Sequence, residues 1–315
     1  MVSCLVIVIL GGVFLYFRQS EKKVGEEMVE NIVYMKETAA RPIWITRDPN
    51  ADSGPWNQDL SISTSTDGVN FTEGKLFIPH AGVANLLNTA EGKLVATFQY
   101  FSFKNEAMFD VIAYSISEDD GETWSSVKKI QFSGLSRVGA GGPNPVDPTL
   151  VQLEDGKFRL YFTYETPSDG APQLYSAISD SIDGQFENEG KQLTTTDMVL
   201  DPAVGKLDEI WHHYTTIHGG KKNGKYRNMH SISATGTDFE RKEDILLDIN
   251  MLGNVIVDDG ELVFYGNGDV GIEYATSSDG YTWNTEGSLN LQGADPGIAK
   301  TSSGKYVIVY TTFGN

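Results

Sequence analysis

One cysteine, Cys4, is present in 315 residues. No intrachain disulfide can form, so the fold must hold by packing. Basic residues are short as well, with 24 Lys and Arg against 43 Asp and Glu and a net charge of −19. A nucleic-acid binder needs a basic stripe to neutralise phosphates. None is present, which argues against such a partner. The same acidity repels anionic ligands at long range. Long helical periodicity is scarce after residue 40, and no metal-ligand spacing stands out among the five histidines.

What is present begins with an apolar run, VSCLVIVILGGVFLYF, followed by Arg18, Lys22 and Lys23. It is shorter than the roughly 20 residues of a spanning helix and long for a signal peptide. Residues 1–18 are read as an apolar helix, serving as membrane anchor or signal segment. Residues 19–50 are a polar stalk, and 51–315 a single folded body. The basic residues after the run favour a cytoplasmic stalk, whereas a glycan enzyme needs the opposite side. The expected location is membrane-anchored or secreted, with the body extracytoplasmic and monomeric.

A repeat runs through that body. Its first half is an apolar strand, an acidic or Gly turn, and an aromatic-rich strand. The clearest copy is DPTLVQLEDGKFRLYFTY from Asp147, with others from Gly82, Asp201, Gly253 and Asp295. Its second half is a strand, a Ser/Thr-Asp-Gly turn with an aromatic just after, and another strand. The copies are STDGVNF (65–71), SEDDGETW (117–124), SDSIDGQF (179–186), SATGTDF (233–239) and SSDGYTW (277–283). Asp and Ser can bond the turn's own amides, Gly supplies a positive φ, and the aromatic plugs the hairpin.

The body opens on a second half and ends on a first half. Complementary ends predict a closed ring, in which the N-terminal strands pair with the C-terminal ones. The fold class is therefore all-β, a five-bladed β-propeller of four-stranded antiparallel blades. Alternation then sorts the loops. The Ser/Thr-Asp-Gly turns lie at the bottom. The strand starts His80, Asp147, Asp201, Asn250 and Asp295 lie at the top. So do Tyr100, Tyr164, Glu165, His213, His218, Asn267 and Asp269 at the second-to-third-strand loops. Three of these loops are long, and long loops on one face of a rigid scaffold commonly carry binding.

SEDDGETW matches the Asp-box of sialidases and other propellers, and the Asp-Pro strand starts resemble those of the arabinanase, levansucrase and invertase group. Together these resemblances cover about residues 60–315. They imply a glycan pocket at one end of the propeller axis, worked by carboxylates near the inner strands. Sialidases use three arginines instead. This chain has seven, of which Arg18, Arg41 and Arg47 precede the propeller, and no motif sets the rest as a triad.

The function expected is a glycoside hydrolase-like propeller, exo-acting on an oligosaccharide. The alternative is a non-catalytic glycan-binding or surface-display propeller. Asp147 and Asp201 are the catalytic candidates, with Glu165 as proton donor. His80, Tyr100, Tyr164, His213, His218, Asp295 and Asn267 are the candidates for sugar contact. Asp-Pro also has a bland reading, as a strand opener whose Asp caps a turn. His212 and His213 adjoin on a strand and face opposite sides, so a three-His metal site is not expected. No cofactor is expected, and no ligand motif demands an axial calcium.

Overall fold

The computed structural model describes residues 41–47, 54–135 and 144–313. The apolar run and most of the stalk lie outside these residues, so the expected N-terminal helix and the 1–18, 19–50 boundaries do too. No helix among the described residues is long and apolar enough to cross a membrane. A short helix, α1 (Ile43–Thr46), and a 3-10 turn at Pro55–Asn57 precede the first strand.

The strands are β1 (Gln58–Ser65), β2 (Lys75–Pro79), β3 (Ala81–Asn88), β4 (Leu94–Phe101), β5 (Phe109–Ser117), β6 (Lys128–Lys129) and β7 (Gln131–Ser133). Then come β8 (Val146–Gln152), β9 (Phe158–Tyr164), β10 (Gln173–Ser179), β11 (Gln185–Lys191), β12 (Ala203–Leu207), β13 (Ile210–Lys222), β14 (Lys225–Ser233), β15 (Glu240–Arg241) and β16 (Ile245–Leu247). The last are β17 (Asn250–Asp258), β18 (Glu261–Gly268), β19 (Gly271–Ser277), β20 (Asn284–Ser288), β21 (Ala294–Lys300) and β22 (Tyr306–Phe313).

They form five sheets, the blades of a propeller. Blade I is β3 to β6, blade II is β8 to β11 with β7 added in parallel at its outer edge, and blade III is β12 to β16. Blade IV is β17 to β20, and blade V orders as β21, β22, β1, β2. In blade V, β1 and β22 are antiparallel, from Asp59↔Thr312 to Ser65↔Tyr306.

Strands inside a blade are covered on both faces. Their sequences are therefore apolar runs rather than alternating ones, as in the wholly buried FRLYFTY of β9. Five core clusters sit one between each pair of adjacent blades. The turn aromatics Phe71, Trp124, Phe186 and Phe239 are buried as plugs. In the first such turn, Asp67 Oδ1 accepts from the amides of Val69 and Asn70 at 2.9 and 2.7 Å. Gly68, at φ 75°, makes the reversal.

These turns also join blades. Tyr161, Tyr214 and Tyr265 hold the same register in blades II, III and IV, opposite Thr149, Ala203 and Asn254. Each hydroxyl donates to the turn glycine carbonyl of the next blade: Tyr161 to Gly236 at 2.7 Å, Tyr214 to Gly280 at 2.8 Å, Tyr265 to Gly68 at 3.2 Å. Nearer the axis, Asn85 Oδ1 accepts from the Leu150 amide and Asn254 Oδ1 from the Ile298 amide, both at 2.9 Å.

Candidate functional site

Each innermost strand enters the propeller through an irregular step. The register slips between Gly82 and Asn85, Val146 and Thr149, and Ala294 and Gly297, and the same step in blade IV falls between Asn250 and Gly253. The displaced residues are Val83-Ala84, Asp147-Pro148 and Asp295-Pro296. Asp201-Pro202 stands just before β12 in the matching place. Val83, Asp147, Asp201 and Asp295 all take a left-handed φ, 48°, 55°, 47° and 47°. Asp tolerates that conformation better than most residues, while a β-branched Val there is a strained outlier. The conformational reason for Asp-Pro is thus real, and Val83 shows that the step forms without a carboxylate.

These steps gather around one opening. A recess about 10 Å³ in volume is lined by Val83, Ala84, Asp147, Pro148, Thr149, Asp201, Pro202, Gly253 and Asp295. That is room for roughly one water. The three acids are held differently. The Asp201 amide donates to Asp147 Oδ2 at 3.3 Å. Asp295 is clamped by Asn267, whose Nδ2 donates to Asp295 Oδ1 and whose Oδ1 accepts from the Asp295 amide, both at 2.8 Å.

Burial pushes the Asp147 carboxyl up to about 6, opposed by the hydrogen bond from the Asp201 amide. Asp201 is driven well above the carboxylate range by burial first, then by the charges of Asp147 and Asp295 and by its side-chain contact with Asp147. Burial also raises Asp295, against the bond from Asn267. Like charges this close cannot all ionise. Burial and mutual repulsion therefore hold all three carboxyls above their ordinary range, Asp201 well above it. No group of three or more His, Cys, Asp or Glu among the described residues is arranged to hold a metal ion.

The other candidates are dispersed. Glu165 follows β9, is half-buried, and makes no hydrogen bond or ion pair among the described residues. Its loop is pinned by Asp169, which accepts from the Thr166 amide and hydroxyl at 2.8 and 2.6 Å and from Tyr175 at 2.9 Å, and pairs with Lys191 at 2.9 Å. His80 packs its ring on Phe103 with centroids 3.7 Å apart, and its Nδ1 lies 2.8 Å from the Trp56 carbonyl. A carbonyl only accepts, so Nδ1 carries the proton. Tyr100 is half-buried against the core between blades V and I. His218 is exposed on the β13–β14 hairpin.

Two expectations need correction. His213 is 0% exposed, with Nδ1 2.8 Å from the Ser231 hydroxyl and its ring edge-on to Phe239, so it cannot line a pocket. Tyr164 is buried between blades I and II, edge-on to Tyr175 at 5.3 Å. Tyr164 does end β9 at the top, where alternation could not show how deeply it packs, whereas β13 runs on to Lys222, so that His213, opposite Val204 and three residues from Ile210 at the bottom turn, stands mid-blade. Asn267, half-buried, holds Asp295 through both ends of its amide. The sequence also gave no role to Asp110, which at φ 55° accepts from Gln99 Nε2 at 2.8 Å and from Asn144 Nδ2, three residues before Asp147. The only signal was an acid opening an otherwise apolar strand.

No family model matches the chain, and no curated protein is similar to it in sequence. Solved structures are similar in fold. An α-L-arabinofuranosidase of Clostridium thermocellum aligns over 73% of this chain and 81% of its own at TM-score 0.52 and 16% identity. A GH43 enzyme of Xanthomonas citri aligns over 73% and 87% at TM-score 0.54 and 14% identity. A family 93 α-L-arabinofuranosidase of Fusarium graminearum, solved with arabinobiose, aligns over 80% and 84% at TM-score 0.53 and 12% identity. The chain thus shares its five-bladed propeller with glycoside hydrolases.

Proposed function

We propose that the chain is an exo-acting glycoside hydrolase on a neutral oligosaccharide, working from the top of a closed ring. The observation that carries this is the contact of Asp147 with Asp201 beside Asp295 at one recess. The pairing of β1 with β22 supports the closure.

The acid and base of a glycosidase stand roughly 5–10 Å apart. Asp147 and Asp201 are closer than that, so they do not divide those two roles. In this reading Asp147 is the base, and the protonated Asp201 tunes it. Glu165, on its pinned loop, is the proton donor. Asp295, His80, Tyr100 and His218 contact sugar. The protein acts as a monomer outside the cytoplasm, anchored or secreted through its N-terminal segment.

One observation favours a second reading, a glycan-binding propeller without turnover. The recess holds about one water, so a sugar would rest above the acids and not among them. An aryl-glycoside hydrolysis screen separates the two, repeated on Asp147→Asn and Asp201→Asn. Turnover that both variants lose supports the enzyme. No turnover in the wild type, with binding on a glycan array, supports the second reading. Neither signal would reject both.

A further inference from the structure

One element at the top is oversized. The second strands of blades I, II, IV and V have seven or eight residues, whereas β13 in blade III has 13. This strand passes close to Asp201, because the Thr215 hydroxyl donates to the carbonyl of Leu200. It then continues to Lys222. Pairing with β14 breaks after Thr216↔Asn228 and resumes at Lys221↔Tyr226. Gly219, at φ 133°, permits the bend, and Ile217 anchors it in the core between blades II and III.

Beyond the bend, the tip is tied to blade IV. Lys221 Nζ lies 2.8 and 2.7 Å from the two oxygens of Asp269. The Tyr226 hydroxyl donates to Asp269 Oδ1 at 2.8 Å, and the Lys221 ammonium sits 4.3 Å from the Tyr226 ring centroid. Asp269 is two residues from Asn267, the clamp of Asp295. The hairpin therefore runs along the rim from one recess acid to the support of another. Blade IV itself connects β18 to β19 through Asp269 and Val270 alone, so it raises no barrier of its own there.

We propose that the β13–β14 hairpin is a wall that stops a sugar chain, and so decides how many units the top face accepts. This rests on the glycan reading of the recess. An open rim would let a chain pass over blades III and IV in either direction, whereas a raised hairpin blocks one of them and selects chain ends. An exposed ion pair alone adds little to stability. The convergence of Lys221 and Tyr226 on one carboxylate instead fixes where the tip stands, which makes them positioning residues.

The test is calorimetric titration of the full chain with neutral oligosaccharides, from disaccharide to hexasaccharide. It is repeated on Lys221→Met/Asp269→Asn and on a chain with residues 218–226 replaced by Asn-Gly. Wild-type affinity should stop rising at a short chain length. In both altered proteins it should keep rising, so that hexasaccharide binds about tenfold more tightly relative to disaccharide than in the wild type, a size typical of discrimination by one pocket wall. If the shortened chain does not fold, the latch variant carries the same readout. Wild-type affinity that climbs to the hexasaccharide, or a length dependence identical in wild type and variants, overturns the wall while leaving the glycan reading intact. Absence of saccharide binding in the wild type overturns both.

Discussion

The main-chain N–H of Asp201 donates to the Asp147 carboxylate across 3.3 Å, joining the inner edges of blades II and III at a pair of buried acids. The bond supports Asp147 as an anion. Burial and the adjacent carboxyl raise Asp201 well above the ordinary carboxylate range.

That arrangement sets a pH dependence. A carboxyl raised in the folded state holds its proton more tightly there, so its contribution is complete below the ordinary carboxylate pKa, about 3.9. It is lost as pH rises through about 6, the Asp147 value. At pH 7 the native state then carries a penalty on the order of 2–3 kcal/mol from Asp147. Asp147→Asn should raise the melting temperature at pH 7 and not at pH 3. A variant that melts below the wild type at both would contradict the strained pair.

The histidines of blade III work in the opposite direction. His213 is lowered to about 3 by burial, then by His230 and Arg241, and His230 to about 3 by burial, then by His212, Arg241 and Lys242. His212, bonded to His230 Nε2 through Nδ1 at 3.1 Å, is lowered by burial. A histidine depressed in the folded state contributes fully above its unfolded pKa, near 6.5, and loses stability as pH falls from there. At pH 5 each of the two strongly lowered rings costs about 2 kcal/mol. His213→Leu/Ser231→Ala removes both members of a bonded pair. Its melting temperature should stay near the wild type at pH 7 and exceed it at pH 5. Equal acid sensitivity in the two proteins would refute this.

The tyrosine links between blades are separate and should add. Tyr161→Phe and Tyr265→Phe each leave a buried glycine carbonyl without its donor, at about 1–3 kcal/mol apiece, whereas after Tyr214→Phe the Gly280 carbonyl still accepts from Trp283 Nε1 at 3.3 Å and the loss should be about 0.5–1.5 kcal/mol. The three sites lie at different junctions, so the triple variant should lose close to the sum. Urea unfolding measures it, and a triple variant no weaker than one single variant would show that the links are idle.

Arg159 tests a partly buried ion pair. Its Nε and Nη2 lie 2.8 and 2.9 Å from the oxygens of Glu189, and Nη1 donates to the Thr235 carbonyl at 3.1 Å. Arg159→Met leaves Glu189, 20% exposed and still bonded by Ser176 Oγ at 2.7 Å, without its cation and should cost about 1.5–3 kcal/mol, whereas Arg159→Met/Glu189→Leu should recover much of it. A double variant as unstable as the single one would argue against charge as the cause.

The repeat and the turn chemistry were open to a reader of the chain, because both depend on local spacing. Ser-Asp-Gly with a trailing aromatic makes its bonds within a few residues, and apolar runs announce strands covered on both faces. The shared place of Asp147, Asp201 and Asp295 followed from the same periodicity. Whether a side chain at the top reaches solvent is not local. Tyr164 is closed off by the core between blades I and II, His213 falls mid-blade because β13 runs on to Lys222, and Asn267 bonds Asp295 from 28 residues away. The protonation of the acids depends on three blades meeting at the axis, since only their approach removes water and sets carboxyl against carboxyl. Sequence periodicity settled how many blades there are and that Asp147, Asp201 and Asp295 hold one place in them. Packing between blades decided which of those residues are free to act.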